Sequence, residues 1–117
     1  MKTGLNTKIK QLLSQKDSDE LLFKDKMLQI SNWKEMQEIV TEFGNNGWSR
    51  KKLFDICQYI NFNEELREEE YDVFAEVMDG LTGFCNGVYF LRLPNDPVND
   101  NEFIEYVRSN VWQNESW

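Results

Sequence analysis

The stretch NEELREEEYDVFAEVMDGL, residues 63–81, decides which fold we expect. It holds eight acidic residues and one base, and it is rich in good helix formers. Phe74, Val77, Met78 and Leu81 recur at intervals of three or four residues, which is the spacing of one helical face. The pattern therefore predicts an amphipathic helix with an apolar side turned toward a core.

The acidic residues of this segment also follow a helical period. Glu65, Glu69, Asp72, Glu76 and Asp79 are four, three, four and three residues apart, so they share the face opposite the apolar one. Like charges at this spacing destabilise a helix by about 0.2–0.5 kcal/mol per pair. The face is either an ordinary solvated surface or a docking surface whose repulsion is relieved by a basic partner.

The rest of the chain also reads as a series of helices. A breaker, GNNG at residues 44–47, separates the first three segments from the remainder, and it is interpreted as a turn within one domain. Residues that favour the N-terminal cap open four other segments: Asp17 (with Glu20), Asn32 (with Glu35), Ser49 and Asn99 (with Glu102).

Apolar residues at helical spacing predict the inward faces of these segments. Two parts of the chain are ambiguous. VYFLRL, residues 88–93, is either a short strand or a tight helical turn, and its Phe90 and Leu91 are predicted to lie in the core. The terminal WQNESW either frays or packs its tryptophans on the rest of the protein. We predict an all-α helical bundle that forms a single domain over residues 1–117. The predicted inward residues are Leu5, Ile9, Leu12 and Leu13; Phe23, Met27 and Ile30; Trp33, Met36, Val40 and Phe43; Leu53, Ile56, Cys57 and Ile60; and Ile104, Val107 and Val111.

Charge is divided unevenly along the chain. Residues 1–52 hold ten bases and seven acids, whereas residues 53–117 hold three bases and fourteen acids. An acidic half of this kind repels phosphate and attracts basic surfaces. It argues against direct binding of nucleic acid and suits a basic protein partner.

Several classes of function lack support in the composition. The chain has no histidine, no phosphate-binding glycine loop and no calcium-loop pattern, so we expect no enzyme, no cofactor and no metal site. No apolar run is long enough for a membrane span, and the first residues do not resemble a signal peptide. We therefore expect a cytoplasmic protein whose two cysteines are reduced. The oligomeric state is left open.

Residues 67–94, REEEYDVFAEVMDGLTGFCNGVYFLRLP, resemble the colicin and pyocin nuclease immunity proteins, which are small acidic four-helix proteins. The resemblance rests on the triple glutamate at residues 68–70, followed in order by Thr82, Gly87 and Pro94. It extends over residues 49–112, which would form the four-helix region. Residues 1–45 have no counterpart in the family and would be an N-terminal helical extension.

This resemblance implies an immunity protein that neutralises a cognate bacterial nuclease toxin, a DNase or a tRNase, by occluding its nucleic-acid-binding surface. In the family, the second helix and the short third segment bind the toxin. Glu68 matches the start of that helix and Asp79 stands where the family has a glutamate, whereas the family's Asp and Tyr-Tyr anchor is replaced by Tyr89, Arg92 and Leu93. Together with the acidic face, the candidate toxin-binding residues are Glu65, Glu68, Glu69, Asp72, Glu76, Asp79 and Tyr89.

Three alternatives stand beside this hypothesis. An acidic nucleic-acid mimic would use the same face against a DNA-binding protein. An antitoxin-like adaptor would instead contact nucleic acid through its basic half, which includes Arg50, Lys51 and Lys52. An enzyme would need a pocket in which two carboxylates act as acid and base.

Overall fold

A computed structural model describes residues 2–30, 32–85, 89–115 and 117, without the side chains of residues 2 and 3. Over these residues the chain forms six α-helices and no β-strand, which confirms the predicted all-α class. A short 3₁₀ helix, Val111–Asn114, follows the last of them. The α-helices are α1 (Lys2–Ser14), α2 (Asp19–Met27), α3 (Trp33–Asn45), α4 (Arg50–Asn63), α5 (Glu68–Thr82) and α6 (Asp100–Ser109).

Local capping interactions set most of the helix starts. Asn32, Ser49 and Asn99 cap α3, α4 and α6 as predicted, because each side-chain oxygen accepts the backbone N–H three residues later at 2.9–3.1 Å. The predicted cap of α2 is wrong by one residue. Ser18, not Asp17, is in the extended conformation and accepts the N–H three residues on, at 3.1 Å. Both residue types cap well, so only the path of the chain out of α1 decides between them.

One hydrophobic core runs through α1 to α5. Its centre is a cluster of three rings, in which Phe23 lies 5.1 Å from Phe43 and Phe43 lies 4.9 Å from Trp48, both in edge-to-face geometry. The N-terminal helices thus share their buried surface with α4 and α5. Side chains with at most 7% of their surface exposed in this core are Ile9, Leu13, Phe23, Met27, Met36, Val40, Phe43, Trp48, Leu53, Ile56, Cys57, Ile60, Phe74, Val77, Leu81 and Leu91.

The inward face of α6 is partly different from the prediction. Val107 is buried and Ile104 is half-buried, but Val111 is 59% exposed, so its predicted place in the core is wrong. The cause is Asn110, which adopts the left-handed conformation (φ 57°) and ends the helix. The chain turns there, and Trp112 rather than Val111 enters the core, with 1% of its surface exposed.

Of the ambiguous segment between α5 and α6, residues 90–93 are irregular, whereas Tyr89 just before them is in a 3₁₀ helical conformation. Phe90 and Leu91 are buried, as predicted. Phe90 packs against Phe103 of α6 at a ring distance of 6.1 Å and forms a second, smaller cluster with it and Val107. Gly87 of the family resemblance and Val88 lie outside the described residues.

The C-terminal tryptophans pack on the body, in agreement with one of the two interpretations of WQNESW. Trp117 is half-buried and its indole N–H donates to Asp55 Oδ2 at 2.9 Å. Both cysteines are free thiols, Cys57 fully buried and Cys85 partly exposed. Burial raises the pKa of the Cys57 thiol, so it stays protonated and packs as an apolar side chain.

Candidate protein-binding site

Helix α5 presents one acidic face to solvent. Glu69, Asp72, Glu76 and Asp79 are all exposed. On the other side of the helix Phe74, Val77 and Leu81 are completely buried and Met78 is half-buried, and α5 packs mainly against α4. The predicted acidic face is therefore real for four of its five members. Glu65 is exposed but precedes the first turn of α5, so it does not extend the helical face.

Arg67, which precedes the first residue of α5, pairs with two of the three acids in the first turn of the helix. The Glu70 carboxylate accepts the backbone N–H of Arg67 at 2.9 Å and its guanidinium at 3.1 Å. Both hydrogen bonds lower the pKa of Glu70, and the one from the Arg67 side chain has the larger effect. Arg67 also lies 3.4 Å from Glu69, in a pair where both side chains are 69% exposed. Such an exposed pair contributes little to stability, because solvent screens the two charges.

The other three acids of the face differ from Glu69 in their charge partners. Within the described part of the chain, Asp72, Glu76 and Asp79 form no ion pair. Their mutual repulsion at helical spacing is a small cost in the free protein, since solvent screens exposed charges. The carboxylates are thus accessible and uncompensated, which is the state that a basic partner would relieve.

A groove runs beside the N-terminal half of α5. Its volume is about 360 Å³, and one wall comes from the junction of α2 and α3 while the other comes from α5. The first wall is mostly apolar and the second is mostly acidic. The lining residues are Leu28, Ile30, Asn32 and Met36 on the first wall, and Arg67, Glu69, Glu70, Asp72, Val73 and Glu76 on the second.

A pocket of about 280 Å³ lies beside the C-terminal half of α5. It is lined by Trp33, Glu76, Asp79, Cys85 and Tyr89. The Trp33 and Tyr89 rings meet edge to face, with centroids 5.9 Å apart, and the Trp33 indole N–H donates to the Tyr89 carbonyl at 3.3 Å. Glu76 borders both concavities, so the groove and the pocket meet at its carboxylate.

Five of the seven predicted site residues line the groove, the pocket or both. Glu69, Asp72 and Glu76 line the groove, and Glu76, Asp79 and Tyr89 line the pocket. Glu65 and Glu68 are exposed but line neither. Trp33 was assigned to an inward face on the sequence, whereas it is half-buried and forms one wall of the pocket.

Tyr89 is half-exposed (52%), and the residues that follow it are fixed by hydrogen bonds to two helices. The Leu91 backbone N–H donates to the Gly80 carbonyl at 3.0 Å, and the Gln37 side chain bonds both the N–H and the carbonyl of Arg92, at 3.3 and 3.2 Å. The segment is thereby attached to α5 on one side and to α3 on the other. This attachment places the Tyr89 ring next to the acidic face.

Gly80 provides the space for that attachment. A Cβ at this position would lie 2.9 Å from Leu91 Cγ and 3.0 Å from the Tyr89 carbonyl oxygen, and Leu91 is fully buried. We expect Gly80→Ala to lower the free energy of unfolding by up to about 2 kcal/mol, because overpacking exceeds the helix propensity gained by alanine. It should also shift the NMR signal of the Trp33 indole. Urea unfolding and a ¹H–¹⁵N spectrum measure the two effects.

Gly4→Ala is the matched control, since Gly4 is also helical but a Cβ added there would meet nothing within 4 Å apart from its chain neighbours and the backbone of its own helix. This change should leave the Trp33 signal in place and stabilise the protein by about 0.5–1 kcal/mol. Equal effects of the two substitutions would contradict the close approach at Gly80.

The basic residues considered for nucleic-acid contact are engaged within the protein. Arg50 is 3% exposed and its Nη2 lies 2.6 Å from Asp96 Oδ2. Lys51 pairs with Asp55 at 3.1 Å. Lys52 pairs with Glu20 at 3.0 Å and lies over the Trp48 ring at 4.3 Å. The run of three bases that the sequence suggested as a contact surface is therefore not a free basic patch.

Two other kinds of functional feature are missing from the described residues. No group of three or more metal-binding side chains is present there, and none of the helices in that part of the chain has the length and apolar character needed to cross a membrane. Comparison with models of protein families, with curated proteins and with solved structures gave no match.

Proposed function

We propose that this protein is an immunity protein, which binds a basic bacterial nuclease toxin through the acidic face of α5 and neutralises it. The observation that supports this most is that Asp72, Glu76 and Asp79 are exposed and form no ion pair among the described residues. Two of them, Glu76 and Asp79, share a pocket with the half-exposed Tyr89 ring. Aromatic anchors beside complementary charge are the usual composition of strongly contributing interface residues.

The mechanism is occlusion together with electrostatic steering. A nuclease binds phosphate with a positive surface, and an acidic helix placed on that surface excludes nucleic acid by its bulk and by its negative potential. Long-range attraction raises the association rate by about 10–1,000-fold over that of an uncharged pair. The carboxylates then exchange solvent for cations of the toxin, so the repulsion along α5 is relieved only in the complex.

The antitoxin-like adaptor is less well supported, because Arg50 is buried and both adjacent lysines are paired with acids. The acidic nucleic-acid mimic uses the same face as the immunity protein and differs in its target. An enzyme would need carboxylates whose pKa values are shifted apart in a pocket. Glu76 and Asp79 do share a pocket, but both carboxylates are exposed to solvent.

The experiment is to produce the full chain together with the protein encoded immediately upstream of its gene. We expect a stable complex, loss of the partner's nuclease activity, and survival of cells that express both. The association rate should fall steeply as salt rises from about 50 to about 500 mM, because exposed charges are screened. A partner that kills cells equally well in the presence of this protein would overturn the proposal. Inhibition of a restriction enzyme or an RNA-guided nuclease instead would identify a mimic.

A further inference from the structure

The pocket at the end of the acidic face has an unusual combination of walls. Two exposed carboxylates, Glu76 and Asp79, lie one helical turn apart on α5, and two aromatic residues from other parts of the chain, Trp33 and Tyr89, line the same pocket. Small-molecule sites usually occupy roughly 300–1,000 Å³, so a pocket of about 280 Å³ is at or below the lower limit. It suits a single side chain better than a metabolite.

The chemistry of the walls selects a cation with a flat face. Aromatic rings attract cations through their electron-rich faces, and carboxylates accept hydrogen bonds from a charged donor. A guanidinium satisfies both requirements, because it stacks on rings and presents several N–H donors in one plane. An ammonium is a more strongly hydrated point charge and uses the rings less well.

No cation of the described residues takes that place. Glu76 and Asp79 form no ion pair in this part of the chain, and the described cations that lie over rings do so elsewhere, at Phe90, Phe103, Trp48, Trp112 and Trp117. Burial and the nearby Asp79 carboxylate raise the pKa of the Cys85 thiol, so Cys85 lines the pocket with a neutral thiol. The pocket is negative, aromatic and accessible.

We infer that this pocket receives one arginine side chain of the protein partner. Its guanidinium would lie with the Trp33 and Tyr89 rings on one side and the carboxylates of Glu76 and Asp79 on the other. The inference rests on the proposed function, since it names the part of the toxin that the acidic face holds. It also assigns a role to α3, which precedes the residues that resemble the immunity proteins (49–112) and supplies one of the two rings. The neighbouring groove then holds the chain on one side of that arginine.

The pocket is tested first without the toxin. The ¹⁵N-labelled full chain is titrated with the peptide acetyl-Gly-Arg-Gly-amide, and with the same peptide containing lysine or the uncharged isostere citrulline. The Trp33 indole N–H, assigned with Trp33→Phe, should shift most with arginine, less with lysine and not with citrulline. The indole of Trp112, buried and bonded to the Val107 carbonyl at 3.1 Å, should not move. Equal shifts with arginine and citrulline, or with arginine and lysine, would overturn the assignment.

Single substitutions test whether the arginine peptide binds in the pocket or is attracted only by the overall negative charge of the protein. Tyr89→Leu and Asp79→Asn should each remove most of the arginine-induced shift. The matched control is Phe84→Leu, since Phe84 is 78% exposed but does not line the pocket, and it should leave the shift unchanged. Loss of the shift in all three variants would contradict the role of this pocket.

The toxin complex then distinguishes the two proposals. Tyr89→Leu and Asp79→Asn should raise the dissociation rate of the complex about tenfold or more, with a smaller change in the association rate. If the toxin binds and is inhibited equally well by these variants, the arginine pocket is wrong and the proposed function stands. If the arginine peptide binds at Trp33 but the toxin does not bind the protein, the pocket is supported and the proposed function is wrong.

Discussion

Arg50→Ala is expected to lower the free energy of unfolding by about 3–5 kcal/mol, because it removes one partner of a buried ion pair. The guanidinium donates to the Leu81 carbonyl at 3.0 Å, to the Leu91 carbonyl at 2.7 Å and to Asp96 at 2.6 Å. It therefore joins the start of α4 to the end of α5 and to the segment that carries Tyr89. Alanine would leave a buried carboxylate and two carbonyls without their donor.

The interaction is not favourable simply because it is ionic. Burial lowers the pKa of Arg50, and the Asp96 carboxylate offsets only part of that effect. A buried pair of this kind is costly to break from one side, whereas removing both charges is often close to neutral. The double variant Arg50→Met/Asp96→Leu should therefore regain part of the stability lost in Arg50→Ala. It will not regain all of it, because Asp96 also accepts the Leu93 N–H at 2.7 Å.

Urea unfolding followed by circular dichroism measures these differences. Lys26→Ala is the control, since Lys26 pairs with Glu42 at 2.8 Å in a bridge where both side chains are more than a third exposed. Its loss should cost no more than about 1 kcal/mol. A change at Arg50 no larger than the change at Lys26 would show that the buried contacts are not needed for the fold.

The second large effect concerns binding. Asp72→Lys/Glu76→Lys changes two uncompensated acids in the middle of the acidic face, and both line the groove. We expect the association rate with the toxin to fall by about 10–1,000-fold at low salt, with loss of protection in cells. Stability should stay the same or rise slightly, because like-charge pairs at helical spacing are removed. Stopped-flow kinetics and urea unfolding test the two halves of this prediction.

The matched control is Glu105→Lys/Glu115→Lys. These two acids are also exposed, they line neither the groove nor the pocket, and their reversal changes the net charge by the same amount. If both double variants slow association equally, the protein attracts its partner by total charge. If the α5 variant still protects cells fully, the docking face lies elsewhere.

Local patterns in the sequence predicted much of the fold correctly. Helix caps depend on a side chain and a backbone N–H three residues away, so Asn32, Ser49 and Asn99 could be identified from short motifs. The failures also have local causes that a pattern does not contain. Val111 continues the apolar period of α6, and only the left-handed turn at Asn110 removes it from the core.

The acidic half of the candidate site was predictable, and the aromatic half was not. Glu69, Asp72, Glu76 and Asp79 follow a period within one helix, which fixes their common face as soon as the other side of the helix is buried. Trp33 and Tyr89 are 56 residues apart, and no spacing rule connects them. They meet because α3 and α5 both bond the segment after Tyr89, through Gln37 and Gly80.

Charge shows the same division between sequence and tertiary structure. The order of residues in the sequence establishes an acidic C-terminal half and predicts an amphipathic α5, because neither the charge of a segment nor its helical period depends on long-range packing. Which charges are available to a partner is decided by the packing of the helices. Arg50 belongs to a basic run in the sequence, yet it is buried against Asp96, while Asp72, Glu76 and Asp79 stay exposed without a cation among the described residues. A charge is neutralised by its neighbours in space, and those are set only when the chain folds.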